Sequence, residues 1–137
     1  MSDHISVPES RANILMWEAK ALAHVATIGP KGEPQSSPVW FDWVEEQLIV
    51  SFYDSSQKMR NVKRDPRVSV SIVDPDDAYK YVEIRGVAVS FVPDTDLAFM
   101  NQMAKKYLGL DEYPWHEEGQ VEVIVTIDPA RITGMGG

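Results

Sequence analysis

The stretch LIVSFYDSSQKMRNVKRDPRVSVSIVD, residues Leu48–Asp74, is the most informative part of the chain about its fold. Two β-type segments, Leu48–Tyr53 and Arg67–Val73, flank a polar segment that holds four Lys and Arg residues; with Arg67 at the start of the second segment, this short window holds five of the chain's 13. Asp65-Pro66 ends that polar segment as a helix, because a residue that precedes proline avoids the helical region. The pattern therefore predicts a strand, a basic helix and a second strand, in that order.

The basic helix predicts an anion site in a chain whose formal net charge is -8. Ser56 can cap the helix, and a helix N-terminus with hydroxyls and cations suits a phosphate-sized anion. The alternative is a solvated helix with a basic face, which is common for runs of charge. At about 100° per residue, Met59 and Val62 face the core, Lys58 borders that face and Arg60 lies opposite. We expect Lys58 to make the first contact with the anion and Arg60 the second.

Composition excludes several classes of protein. A chain of 137 residues is the size of one domain, so we assign residues 1–137 to a single unit. The absence of cysteine excludes disulfides, cysteine-ligated metals and cysteine nucleophiles. The N-terminal residues do not resemble a signal peptide, and no apolar run reaches the ~20 residues of a membrane helix. We therefore expect a cytoplasmic protein without a membrane or nucleic-acid partner, since an acidic chain binds nucleic acid poorly.

The remaining chain is rich in β-type segments joined by short turns. Pro38 cannot donate to a strand ladder, so its strand lies at an edge, carries a bulge or borders a cavity. Gly86 marks a bend or a close approach within a long strand. The further strands are predicted at Leu22–Ile28, Gln35–Asp42, Tyr79–Val92 and Val121–Ile127, and helices at Val7–Glu18 and from Pro93-Asp94-Thr95 to Leu108, ended by Gly109. Without β-α-β alternation, this predicts a mainly β fold with helices: a six-stranded antiparallel barrel, closed or nearly closed.

Several blocks together resemble the FMN-binding split-barrel superfamily, which has the pyridoxamine 5′-phosphate oxidase-like fold. They are HVATIGPKGEPQSSPVWF from His24, the Leu48–Asp74 stretch, YVEIRGVAV from Tyr81 and VEVIVTIDPARITGMGG from Val121. The segment from Lys58 to Arg67 is the most specific, and it resembles the small, single-domain reductases that depend on coenzyme F-420, a deazaflavin. True pyridoxamine phosphate oxidases carry a C-terminal substrate-binding extension, which we do not expect here because the resemblance is to the single-domain branch.

The resemblance implies a homodimer with two equivalent cofactor sites, each lined by both subunits. Lys58 and Arg60 would contact the cofactor's phosphate or acidic tail, and Ser56 stands where relatives often carry a further Arg. Tyr79 and Lys80 would come from the partner subunit. Ser51 and Asn61 would be hydrogen-bonding neighbours of the cofactor, and Gln35 and Ser37 would face its ring or its ribityl-like chain. The full set of implied cofactor-binding residues is Lys58, Arg60, Ser51, Asn61, Gln35, Ser37, Ser56, Tyr79 and Lys80.

The implied function is oxidoreduction, with hydride passing between F-420 and an electrophilic conjugated small molecule. The cofactor carries the difficult chemistry, so no catalytic side chain is assigned. Trp40 and His116 are candidates for the substrate pocket, and the histidine spacing predicts no metal site. Two alternatives remain: an FMN-dependent oxidase or reductase of the same fold, and a non-catalytic flavin- or haem-binding module.

Overall fold

A single antiparallel sheet of seven strands forms the framework of the protein, as seen in a computed structural model that describes residues 12–15 and 19–135. The strands are β1 (Ala23–Ile28), β2 (Pro34–Val39), β3 (Asp42–Val44), β4 (Gln47–Tyr53), β5 (Arg67–Asp74), β6 (Asp77–Pro93) and β7 (Glu122–Met135), and the helices are α1 (Gln57–Arg64) and α2 (Ala98–Leu108). The strand order is β2-β1-β5-β6-β7-β4-β3, and every neighbouring pair is antiparallel. The mainly β, antiparallel prediction is confirmed.

The predicted count of six strands is wrong, because the segment Gln35–Asp42 forms parts of two strands. β2 ends at Val39 and β3 begins at Asp42, so Trp40 and Phe41 connect the two outermost strands of the sheet. Among the described strands, β2 and β3 do not pair with each other, so hydrogen bonding does not close the sheet. The sheet therefore curls until its two edges lie two residues apart in the chain, without becoming a closed barrel.

The break between β2 and β3 has a physical cause in α2. The Phe41 N–H donates to the Tyr107 hydroxyl at 3.2 Å, and the Phe41 carbonyl accepts from Lys106 Nζ at 2.7 Å. Side chains of α2 thus satisfy the backbone groups that a neighbouring strand would otherwise bind. The Phe41 ring is fully buried as a result. Sequence reasoning missed this because the partners lie 65 and 66 residues further along the chain.

The helices agree with the sequence in type and differ in their limits. α1 begins after the N-cap Ser56 and ends before Asp65, as the pattern predicted. α2 starts only at Ala98, but Asp94, at the predicted start of the helix, accepts from the backbone N–H groups of Phe99 and Met100 at 3.2 and 3.0 Å. Its end at Gly109, in the left-handed region with φ 70°, is confirmed.

The predicted N-terminal helix Val7–Glu18 lies mostly outside the described residues. Within residues 12–15, Asn13–Leu15 form a short 3-10 turn whose Ile14 and Leu15 are buried. Among the helices that the structure describes, none is long and apolar enough to cross a membrane.

The core lies on one face of the curled sheet. β4, β5 and β7 alternate between buried and more exposed residues, and their inward residues are Leu48, Val50, Phe52, Val68, Val70, Ile72, Val123, Val125 and Ile127. The opposite face of β4 and β7 packs under α2 through Ile49 and Ile124. This second, smaller apolar layer leaves space beside α2, and that space is the candidate site.

Gly86 is a point of close approach, as predicted. The register of β6 against β7 shifts between Arg85 and Gly86, where Gly86 lies opposite Pro129. A Cβ atom at Gly86 would stand 2.3 Å from the Asp128 carbonyl oxygen, so a larger residue requires the backbone to move. The predicted strand Val121–Ile127 continues past Asp128 and Pro129 as one β7, with an irregularity in its pairing at this point.

Candidate functional site

A cleft with a volume of about 350 Å³ opens between the sheet and α2. Its polar residues are Ser51 from β4, Lys58 from α1 and Glu122 from β7. Its aromatic residues include Trp40, Tyr53, Tyr113 and Trp115, and Leu22, Pro38, Phe99 and Met100 add apolar surface. A flat conjugated molecule fits such a lining, because apolar and aromatic walls hold the rings while a few polar groups fix the orientation.

Lys58 places its ammonium group at this cleft. Its Nζ donates to the Ser37 hydroxyl at 3.3 Å and lies 5.3 Å from the centre of the Phe52 ring. Burial lowers the pKa of Lys58, and the charge of Glu122 acts in the opposite direction. The predicted helix geometry is confirmed here, since Met59 and Val62 are buried and Lys58 borders them.

Glu122 is a buried carboxylate that sequence reasoning missed. Its side chain lines the cleft although the residue is only 4% exposed, and Oε2 accepts from the Ser51 hydroxyl at 2.7 Å. β7 places Val123, Val125 and Ile127 in the core, so Glu122 points to the other face. That alternation was visible in the sequence, but the cover that α2 provides over the second face was not.

Asn61 and Gln35 form a network beside the cleft. Asn61 is fully buried, and its Nδ2 donates to Thr27 Oγ1 at 3.0 Å and to Gln35 Oε1 at 3.1 Å. Its Oδ1 accepts from Gln57 at 2.8 Å and from Arg64 at 3.3 Å. These bonds tie α1 to β1 and β2. Both Asn61 and Gln35 border a smaller depression of about 260 Å³ rather than the main cleft.

Arg60 and Ser56 are engaged at the start of α1. Arg60 donates to the Ser55 carbonyl at 2.6 Å and to Gln57 Oε1 at 2.8 Å. The Ser56 hydroxyl donates to the Tyr53 carbonyl at 2.7 Å and accepts from the Met59 N–H at 3.2 Å. Arg60 must release these bonds before it can reach a ligand, whereas Lys58 is already at the cleft.

The other cations of the basic segment bind groups of the same chain. Lys63 lies 3.4 Å from Asp54, and Arg64 donates to the Ile28 carbonyl at 2.5 Å. Arg67 pairs with Asp65 at 2.7 Å. The five-cation cluster is therefore a set of separate contacts and not one anion site.

The predicted partner-subunit residues lie away from the cleft of their own chain. Tyr79 is 79% exposed at the start of β6. Lys80 Nζ donates to Asn13 Oδ1 at 2.6 Å and lies 4.0 Å from Asp74 Oδ2. Their role across a subunit interface stays a prediction.

Three aromatic rings, Trp40, Tyr113 and Trp115, form one wall of the cleft, and Tyr107 packs against Trp40. Trp40 stacks on Tyr107 with 5.1 Å between ring centres and 6° between planes, and it meets the edge of Tyr113 at 5.9 Å. Trp115 lies 6.0 Å from both Trp40 and Tyr113 and is 58% exposed. Trp40 thus lines the cleft, while His116 is exposed and is not among its lining residues. The aromatic content of the loop after Gly109 was the available signal for Tyr113 and Trp115.

Tyr113 keeps its proton well above neutral pH, because its surroundings raise its pKa. Burial raises the pKa of Tyr113, and a hydrogen bond with the Tyr53 side chain raises it further.

Within residues 12–15 and 19–135, no three His, Asp or Glu side chains are grouped so that they could hold a metal ion.

Comparison with known proteins identifies the family. The family model described as pyridoxamine 5′-phosphate oxidase matches residues 15–135. The chain belongs to the pyridoxamine 5′-phosphate oxidase family. This confirms the resemblance to the split-barrel superfamily that the sequence blocks indicated.

Solved structures of the family have the same fold. One described as an F420 reductase superposes with a TM-score of 0.82 at 36% identity, covering 93% of this chain and 98% of that one. A putative pyridoxamine 5′-phosphate oxidase from Listeria innocua gives 0.67 at 19% identity, covering 92% and 95%. General Stress Protein 26 from Bacillus anthracis gives 0.66 at 22% identity, covering 93% and 92%. The last two establish similarity of fold alone.

The residues of the cleft fit the kind of cofactor that this family uses. Members of the family bind flavin, a flat tricycle with a polar pyrimidine edge and an anionic tail. The aromatic wall beside Trp40 suits the tricycle, and the half-buried Lys58 supplies a cation that burial has partly stripped of water. Such a cation binds an anionic group more strongly than a solvated one does.

Proposed function

We propose that this protein is an oxidoreductase that transfers a hydride between coenzyme F-420 and an electrophilic conjugated small molecule, such as an enone or a quinone. The observation that carries the proposal is the 36% identity, over 93% of the chain, to a structure described as an F420 reductase. The comparisons reported above with structures of other descriptions reach only 19% and 22% identity. The bound coenzyme would supply the hydride.

The chain's own residues would bind and orient the two reactants. Lys58 would hold the phosphate or the start of the acidic tail, with Ser37 and Ser51 as neighbouring hydrogen-bonding groups. Trp40 would support a ring, because Tyr107 already fixes the plane of its indole. The bonds of Asn61 hold α1 against β1 and β2, which keeps Lys58 at the cleft. For hydride transfer, the protein has to hold the two reactants in the right relative position and exclude water from them.

An FMN-dependent oxidase or reductase is the second candidate. It is favoured by the match of residues 15–135 to a family that binds flavin. A module that binds a flavin or haem without turnover is the remaining alternative, and the same experiments test it.

We further propose a cytoplasmic homodimer in which both subunits line each cofactor site. Apolar side chains exposed on β6 support a subunit interface there: Val87, Val89, Phe91 and Val92 are 36%, 51%, 37% and 51% exposed. Tyr79 and Lys80 lie on the same strand. Light scattering coupled to size-exclusion chromatography would give twice the mass of one chain if the proposal is right and a single-chain mass if it is wrong.

Parallel titrations with F-420 and FMN test the cofactor assignment. We expect F-420 to bind more tightly than FMN, and Lys58→Ala to weaken binding roughly ten- to a hundredfold, which corresponds to the loss of one charge-assisted contact. Lys63→Ala is the matched control, because Lys63 lies on the same helix but pairs with Asp54. Equal losses in both variants would contradict the role of Lys58.

Turnover separates an enzyme from a binding module. Reduced F-420 should be oxidised when enones or quinones are added to the wild-type protein. Tight binding without oxidation by any acceptor would favour the non-catalytic alternative, and a yellow protein with a flavin spectrum would favour FMN.

A further inference from the structure

Glu122 has one carboxylate oxygen without a hydrogen-bond partner in the described part of the chain. Oε2 accepts from Ser51 at 2.7 Å, whereas Oε1 makes no hydrogen bond to residues 12–15 or 19–135. Lys58 interacts with Glu122 through its charge, but the two groups do not form an ion pair within 4.0 Å among the described contacts. A carboxylate that is 96% removed from solvent and faces a cleft needs a further donor, because an unpaired buried acceptor is costly.

The surroundings of Glu122 favour a particular kind of donor. Trp40, Tyr113 and Trp115 line the same cleft, and the faces of aromatic rings carry negative potential. Ring faces and a carboxylate together attract N–H groups and delocalised cations and repel anions. Lys58, the one cation among the described residues that line the cleft, donates to Ser37 and acts on Glu122 through its charge.

We propose that Glu122 Oε1 accepts a hydrogen bond from an N–H group of the planar conjugated ligand that fills the cleft, and that Glu122 excludes ligands with a carboxylate at that position. The inference deepens the proposed function by naming a class of acceptor, a conjugated amide, lactam or imide, and it rests on that function for the reaction. The same N–H chemistry is present on the pyrimidine edge of a deazaflavin, so the coenzyme is a second source of the donor.

A matched pair of ligands tests the inference without any coenzyme. We choose para-fluorocinnamamide and para-fluorocinnamate, which share size and conjugation and differ in the N–H group and the charge. Dissociation constants measured by fluorine NMR should favour the amide at least about tenfold on the wild-type protein, because a like charge beside Glu122 is unfavourable. Glu122→Gln should reduce that ratio at least about tenfold, since the neutral side chain no longer repels the acid.

Two further variants serve as controls for the amide-to-acid ratio measured with Glu122→Gln. Glu117→Gln changes an exposed carboxylate on the neighbouring loop and should leave the ratio unchanged. Ser51→Ala removes the hydrogen bond that the described residues donate to the Glu122 carboxylate and keeps its charge, so the amide-to-acid ratio should be preserved or increased. A fall in that ratio would contradict the proposal even if Glu122→Gln fails to fold. The proposal is overturned if the wild-type protein prefers the acid, if Glu122→Gln leaves the ratio unchanged, or if neither compound binds at millimolar concentration.

Addition of F-420 distinguishes the two sources of the N–H group. If the amide binds alongside F-420 and Glu122→Gln weakens only the amide, the donor belongs to the acceptor substrate. If F-420 displaces the amide and Glu122→Gln also weakens F-420, the donor belongs to the coenzyme ring. Failure of F-420 to bind at all would remove the proposed function, while the amide-to-acid ratio would still report on Glu122.

Discussion

Lys58 and Lys106 are both lysines that a helix draws away from water, and their surroundings differ. Lys106 on α2 is 1% exposed, donates to the Phe41 carbonyl at 2.7 Å and lies 4.2 and 4.9 Å from the ring centres of Phe41 and Tyr107. Lys58 on α1 makes one hydrogen bond to a hydroxyl in the described residues, at 3.3 Å, and borders an open cleft. Burial of a charge therefore does not identify a binding site. The binding lysine is the one with donors still available to a ligand.

The largest expected effect is at Lys106. Lys106→Ala removes the donor to the Phe41 carbonyl and empties the space between two rings, so the free energy of unfolding should fall by about 3 kcal/mol or more. Urea denaturation followed by tryptophan fluorescence measures this. Lys106→Met restores most of the packing without the donor and should recover part of the loss. A stability equal to that of the wild type in both variants would contradict the structural role of Lys106.

Tyr107 supports the same connection and should have a smaller effect. Its hydroxyl donates to the Ala21 carbonyl at 2.5 Å and accepts from the Phe41 N–H at 3.2 Å, so Tyr107→Phe should cost about 1–2 kcal/mol. Burial raises the pKa of Tyr107 from 10.0 to about 12. The unfolded chain therefore loses this proton first, and the wild-type protein loses stability as the pH rises from 10.0 towards about 12. Tyr107→Phe should lack that part of the alkaline loss.

Lys58→Met should change stability by less than about 1 kcal/mol, because the lost bond to Ser37 is offset by removal of a charge that burial disfavours. The same substitution is thus expected to act on stability at Lys106 and on ligand affinity at Lys58. Equal destabilisation by Lys58→Met and Lys106→Met would contradict the different roles of the two lysines. Because burial lowers the pKa of Lys58, the affinity for F-420 should begin to fall at a lower alkaline pH than it would if a solvent-exposed lysine held the ligand.

The smallest expected effect concerns Asp65, at the end of the same helix as Lys58. Hydrogen bonds from Arg67 lower the pKa of Asp65 from 3.8 to about 2 on the protein surface. A depressed carboxyl pKa favours the folded state above 3.8, and this contribution disappears as the pH falls through about 2. Arg67→Gln should return the Asp65 titration, followed by NMR, towards its usual value, while ligand binding at Lys58 stays the same.

Local patterns predicted much of the fold. The strands β4 and β5, the N-cap Ser56 and the stop at Gly109 depend on neighbours in the chain, and each is found where expected. The break at Trp40 and Phe41 depends on Lys106 and Tyr107, which the sequence does not place beside them. The number of strands was wrong for that reason.

At the candidate site too, features set by neighbours in the sequence were predicted, and features set by distant parts of the chain were not. Helical geometry placed Lys58 beside the core and Arg60 away from it, and both orientations are found. Glu122 and Trp115 were missed, because their positions depend on how α2 and its following loop cover the outer face of β4 and β7. Periodicity identifies the face of a strand, but it does not reveal what covers that face.

The two edges of the sheet bear on how the protein avoids aggregation. Pro34 and Pro38 have no N–H to offer along β2, and β3 at the opposite edge is only three residues long. Neither edge presents the long row of free backbone groups that recruits a strand from another molecule. Mutations that replaced both prolines would create such a row at β2, and the expected consequence is fibril-like self-association of an otherwise intact fold.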